Sequence, residues 1–319
     1  MYVHVMTNYF CNYNCEYCYL GDLKKSRQVI DIEKLKKQLD AISARYDIDE
    51  IHCYGGEITL LDEDFVADVL KCCEPYGYTS WVTNLSAPDK VERIVEKTGI
   101  TYATSLNEER PFHNELINKV YMMKHRPHSV IQVVTPSLLK KSPKEILEEA
   151  EKFKSTYLGF VQYFPSVTNE LNYDKPADNP NKAYCDFLKG ILEEHATGKY
   201  SMQIENDYAL NQVIHGNYTP WTNNAIFITP FNEYACILYN EDDKGREHLH
   251  ILKDLDDFEA VNAKEIATFK EKCGECSQFG YCYAEHMRDW NPGDECCGNK
   301  SLIDWYREFR KNEDLHKDD

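Results

Sequence analysis

The sequence predicts an α/β protein, a partial (β/α)6 barrel of the TIM type followed by a smaller cysteine-rich α+β domain. Three observations carry this. Apolar periodicity switches between two and three-to-four residues across the first two hundred positions, the pattern of strand followed by helix, repeated. Unusual glycine and polar residues fall just after the strands, where parallel sheets gather their chemistry. Beyond residue 200 the texture changes to a hairpin and a cysteine-dense tail.

MYVHVM is the first strand. After a cysteine loop, IEKLKKQLDAI places Ile32, Leu35, Leu39 and Ile42 on one helical face behind an N-cap at Asp31. EIHCY and FVADVLKCC form the second strand and helix. YTSWVTN, ITYATSLN and VIQVVT are the next strands, with helices around Val91 to Val95 and Leu116 to Met123 between them. The helix ILEEAEKFK, the strand YLGFVQYF and a helix from about Ala183 to Glu194 complete the sixth unit. The stretch PSVTNELNYDKPADNPN reads as a surface loop. AIFITPFNEYACIL reads as a hairpin turning at Phe231 and Asn232. These elements divide the chain into a core domain, 1–200, and a cysteine-rich domain, 201–319.

At 319 residues the chain has ample length for a large core and a second domain. It has no run of eighteen apolar residues, and its opening lacks the basic and apolar regions of a signal peptide. The expectation is a cytoplasmic protein without a membrane partner. In that compartment thirteen cysteines point to metal binding or catalysis rather than a disulfide framework. A formal charge of −18 argues against nucleic acid, whose phosphates are met by Lys and Arg, and describes a solvated surface.

The stretch FCNYNCEYCYL sets Cys11, Cys15 and Cys18 close together. A structural zinc site is closed by four ligands, and no second Cys-x2-Cys pair lies nearby. Three thiolates on a four-iron cluster instead leave one iron open to a ligand from outside the protein.

CNYNCEYCY resembles the Cys-x3-Cys-x2-Cys loop of the radical S-adenosylmethionine (SAM) enzymes. GGEIT, from Gly55 to Thr59, is similar to that family's GGEP signature, with Ile58 in place of proline. VTN at Val82 to Asn84 and SLNEERPFHN from Ser105 resemble its third and fourth strand ends. The resemblance covers roughly the first two hundred residues and implies a SAM-binding 4Fe-4S cluster on Cys11, Cys15 and Cys18. SAM would fill the open iron position, and its reductive cleavage would yield a 5′-deoxyadenosyl radical that takes hydrogen from the substrate. It further implies that Gly55, Gly56 and Glu57 bind the methionyl amine, with the Glu57 carboxylate against the ammonium. Ser105 and Asn107 would take the ribose or carboxylate, Tyr17 and Tyr19 the adenine side, and Asn84 would join this cofactor-binding set. A flavodoxin- or ferredoxin-type reductant is the implied electron source.

Cys273, Cys276 and Cys282 follow a Cys-x2-Cys-x5-Cys pattern, with Cys296 and Cys297 after a short loop. This resembles the SPASM or twitch extension that carries auxiliary four-iron clusters. His286 stands where the full extension has a further cysteine, and Cys236 is all that answers its upstream pair. One auxiliary 4Fe-4S cluster on Cys273, Cys276, Cys282 and Cys296 is expected, with Cys297 or Cys236 as substitutes. A zinc knuckle of the same four is the alternative. Cys72, Cys73 and Cys185 read as core thiols on helices. Cys53, two residues before Gly55, is either a core thiol or, pointing into the barrel, a catalytic hydrogen-atom donor.

By resemblance the function is modification of a ribosomally made peptide, through a thioether or carbon-carbon crosslink or an epimerisation. A first strand at residue 1 predicts no fused leader-binding domain ahead of it. The alternatives are a radical SAM dehydrogenase or epimerase acting on an aminoglycoside or other sugar, and a non-catalytic metal-binding protein.

Overall fold

A computed structural model describes residues 1–15, 18, 20–108, 110, 113–162, 180–216, 224–237, 249–278 and 300–315. The six expected strand-helix units are all present: β1 (Tyr2–Met6) and α1 (Ile32–Ser43), β2 (Glu50–Tyr54) and α2 (Glu63–Cys73), β3 (Tyr78–Thr83) and α3 (Pro88–Thr98). They continue with β4 (Tyr102–Ser105) and α4 (His113–Met122), β5 (Ser129–Val134) and α5 (Pro143–Glu151), and β6 (Tyr157–Gln162) and α6 (Pro180–His195). Local chemistry sets their boundaries. Asp31 caps α1 as expected, its carboxylate accepting the Lys34 amide at 3.0 Å. Ser142 and Glu145 form a reciprocal capping box at the start of α5, and Gly99 ends α3 in the left-handed region that glycine tolerates best.

β1 to β6 run parallel in sequence order, and a two-residue β7 (Gln203–Ile204) continues them beside β6. Alternation then sorts the side chains. Val3, Val5, Ile51, Cys53, Trp81, Tyr102, Val130 and Leu158 are buried on one face, in one core with Leu35, Leu39, Val69, Leu70, Ile94, Leu147 and Ile191 of the helices. Each aliphatic side chain buried there contributes about 1.5–3 kcal/mol. Residues of opposite parity, among them His4, His52, Tyr54 and Ser80, line the inner face.

Beyond residue 200 the sheet continues. After α7 (Glu205–Ile214) comes β8 (Ala225–Ile228), which pairs in parallel with β1 from Tyr2↔Ala225 to Val5↔Ile228. β9 (Tyr234–Cys236) completes the expected hairpin, with Asn232 in its turn at φ 59°, and β10 (His250–Leu252) pairs with β9. Among the described residues one ten-stranded sheet results, in the order β10-β9-β8-β1-β2-β3-β4-β5-β6-β7. The helices α8 (Leu255–Cys273) and α9 (Lys300–Leu315) were not foreseen, nor was α7. No helix among the described residues is long and apolar enough to cross a membrane.

Candidate active site

The ends of β1, β2, β3 and β4 form one mouth, and hydrogen bonds fasten the segments there to one another. Past β1, Thr7 donates its amide to the Tyr54 carbonyl at 2.7 Å, so the sheet ladder runs one residue beyond the strand. The Gly56 amide reaches the Asn8 carbonyl at 2.8 Å and the Glu57 amide the Phe10 carbonyl at 3.0 Å. Buried Asn8 adds side-chain bonds to the carbonyls of Phe10, at 2.7 Å, and Glu57, at 3.4 Å. The Gly-Gly-Glu turn is thus fastened to the segment that delivers Cys11.

Close approach is the reason for the glycines. A Cβ on Gly55 would stand 2.1 Å from the Asn8 carbonyl oxygen, and one on Gly56 would stand 2.1 Å from that of Phe10 and 2.3 Å from that of Tyr9. All three obstacles are backbone and cannot swing aside. Gly56→Ala is expected to cost about 1–3 kcal/mol, as overpacking does, and to displace the cysteine loop. Denaturant titration and iron content after anaerobic reconstitution measure the two effects; wild-type values in both would show that the approach is not tight.

Glu57 is 1 % exposed and its carboxylate is turned into the protein. Oε1 accepts from the Thr59 amide at 3.0 Å, the Thr59 hydroxyl at 2.6 Å and the Thr83 hydroxyl at 2.7 Å; Oε2 accepts from the Asn84 amide at 2.6 Å. In this arrangement the carboxylate ties β2's exit to the end of β3. Asn84, held this way, extends its side chain to the cysteine loop, with Nδ2 2.9 Å from Asn12 Oδ1 and 3.8 Å from Cys11 Sγ.

Asn107 is also engaged. Its Nδ2 donates to the Val133 carbonyl at 2.8 Å and its Oδ1 accepts the Val133 amide at 3.1 Å, which stitches the exit of β4 to β5. Ser105, half-buried at the end of β4, has no hydrogen bond to its hydroxyl among the described residues. Its carbonyl accepts from Arg110, whose guanidinium lies 5.9 Å from the Tyr13 ring. Tyr17 and Tyr19 lie outside the described residues.

The three thiols share one small region. Burial pushes the Cys11 and Cys18 thiols up from the ordinary range; Cys15 and Cys18 push Cys11 further, and Cys15 does the same to Cys18, while Lys24 opposes it. They are near enough to feel one another, yet among the described residues they do not form a group with all ligand atoms within 4.8 Å. Sulfurs around one tetrahedral ion with bonds of about 2.3 Å would lie about 3.8 Å apart. Three thiolates suit a four-iron cluster with one iron left open, and cysteine thiols become ligands once iron replaces their protons.

Cys53 lies on the helix side of the sheet. It pairs with Val5 and Trp81 on the helix side, is fully buried, and its sulfur is 3.8 Å from that of Cys73 on α2. A thiol there cannot reach the inner face, because one-residue parity points it away. What lines that face instead is a polar group the sequence reading passed over. His4 stacks on Phe227 at 4.5 Å and His52 at 5.4 Å, and His52 lies 2.9 Å from Ser80 Oγ and 3.0 Å from Glu50. Burial, helped by His52, lowers the His4 pKa to about 3 and keeps it neutral. The alternation in YVHVM and EIHCY was signal enough to place both histidines inward.

Among the C-terminal cysteines, Cys273 ends α8 and Cys276 follows in a turn, its amide donating to the Cys273 carbonyl at 2.9 Å; both thiols are half-buried. Cys236 is fully buried on β9 within the helix-side core. Cys282, Cys296 and Cys297 lie outside the described residues.

A parallel partial barrel with a three-cysteine loop after its first strand and a glycine turn after its second defines a class. Residues 5–135 match the model of the Radical SAM superfamily, whose members use a 4Fe-4S cluster and SAM. Over the whole of both chains it is similar to native anSMEcpe with bound AdoMet, at 16% identity and a TM-score of 0.68. The same protein with bound AdoMet and Cp18Cys peptide aligns over 100% of this chain and 99% of that one, at 15% identity and a TM-score of 0.69. Streptococcus suis SuiB bound to precursor peptide SuiA covers 73% of this chain and 58% of its own, at 14% identity and a TM-score of 0.55. At such identities the likeness is one of fold. No curated protein matches the sequence.

Proposed function

We propose that this radical SAM enzyme modifies a ribosomally synthesised peptide, with Cys11, Cys15 and Cys18 holding the SAM-binding cluster. The observation that carries the reading is the fastening of the Gly55–Glu57 turn onto the cysteine loop, which brings backbone, buried carboxylate and three thiols to one mouth. When bound there, the cluster and SAM supply a 5′-deoxyadenosyl radical that removes hydrogen from the substrate. The chain's own residues do the rest. Glu57 holds the mouth rigid, the backbone of Gly55 and Gly56 and the Ser105 hydroxyl face the cofactor, and His4, His52 and Ser80 offer polar contacts on the inner face. Two structurally similar proteins are bound to peptides, which supports a peptide substrate. Cys273 and Cys276, with Cys282 and Cys296, hold one auxiliary cluster.

Anaerobic reconstitution tests the reading. About eight irons per chain, the sum of two four-iron clusters, together with reductive formation of 5′-deoxyadenosine and a SAM-dependent mass change in members of a short-peptide library, is the expected result. Zinc with four irons would remove the auxiliary cluster, and turnover of sugars but no peptide would overturn the substrate class.

A further inference from the structure

We propose that Asn84 sets the reduction potential of the SAM-binding cluster through an N–H···S hydrogen bond to Cys11, an inference that rests on Cys11 being a cluster ligand. Asn84 is 4 % exposed, and three bonds fix how its side chain points. Its backbone amide is held by Glu57 Oε2 at 2.6 Å. Its Oδ1 accepts the Ser86 amide at 2.8 Å, which rules out the flipped amide, since nitrogen there would face a donor. The two hydrogens on Nδ2 are therefore directed toward the cysteine loop, one to Asn12 Oδ1 at 2.9 Å and one to Cys11 Sγ at 3.8 Å. The Tyr13 amide adds a second donor to the same sulfur at 3.4 Å.

The sign of the effect follows from charge. Reduction adds one negative charge to the cluster, and part of it resides on the ligand sulfurs. An N–H dipole aimed at Cys11 stabilises that form more than the oxidised one and raises the potential. Burial strengthens the effect because little water screens it. Glu57 gains a role of its own by fixing the backbone from which this side chain extends, so the anchoring carboxylate and the cluster's redox property are connected through one residue.

The experiment is a redox titration of the reconstituted protein, followed by the EPR signal of the reduced cluster, in a background lacking Cys273 and Cys276 so that one cluster is read. Asn84→Ala is expected to lower the reduced-to-oxidised ratio about tenfold at fixed potential, equivalent to about 59 mV for a one-electron couple. Asn84→Ser, whose hydroxyl can still accept from the Ser86 amide, should show the same change with the local turn kept. Asn12→Ala removes the other acceptor but leaves the bond to sulfur, and should titrate like the parent. Unchanged potentials in both Asn84 variants at full iron content would overturn the proposal. So would loss of iron from both, because Asn84 would then be holding the loop rather than tuning the cluster. Absence of any cluster that depends on Cys11, Cys15 and Cys18 in the parent is a different failure, that of the functional reading itself.

Discussion

Replacing Cys11, Cys15 and Cys18 together by alanine is expected to abolish SAM cleavage while leaving the fold intact. The three thiols sit in a loop outside the strands and helices, and only Cys15 is buried, so their removal subtracts little packing. Iron content should fall to about half in a protein that otherwise holds two four-iron clusters. Denaturation midpoints of the iron-free proteins should agree closely. Quantifying 5′-deoxyadenosine from the reduced variant is the decisive measurement, and cleavage at the wild-type rate would end the radical reading.

The second large effect belongs to Glu57. Removing its carboxylate in Glu57→Ala strands two buried backbone amides, those of Thr59 and Asn84, and leaves two threonine hydroxyls to find new acceptors. Hydroxyls rotate, but the amides cannot. At about 1–3 kcal/mol for each unsatisfied buried donor, the loss is about 2–6 kcal/mol of stability, and it should appear in the iron-free protein by urea titration. Glu57→Gln keeps one oxygen for the Thr59 and Thr83 donors but sets an NH2 group against the Asn84 amide, so it should fall between. A carboxylate whose role is only to meet the SAM ammonium would behave otherwise: full stability, intact iron content and weakened SAM binding by calorimetry.

The contrast shows where local pattern stops being informative. Strand and helix alternation is written in periodicity, and the six units could be read because residues such as Leu35, Leu39 and Ile42 repeat at helical spacing over an explicit cap at Asp31. The hairpin at Phe231 and Asn232 was legible for a similar reason, since Asn tolerates the left-handed backbone. Pairing between distant strands has no such record. Nothing in AIFI states that it will lie beside YVHV, and α7 and α8 present too few buried positions, such as Leu210, Val213, Leu255 and Phe258, for a clear stripe. At the site, spacing named the cysteines and the glycines, and the structure adds the close backbone approach that the glycines permit. The direction of a side chain was harder. Cys53 could have been placed by its parity with Val5, whereas the inward turn of Glu57 depends on Thr83 and Asn84, which stand more than twenty residues away.

The pairing of β1 with β8 also has a temporal side. The strand that leads into the cysteine loop leaves the ribosome well before its second neighbour, which is not synthesised until over two hundred residues later. At about 5–20 residues per second, the nascent chain spends on the order of ten to forty seconds with one flank of β1 bare, a row of unmatched amides and carbonyls next to the cysteines. The seat of the cysteine loop is thus complete on both flanks only once β8 has been made and has docked.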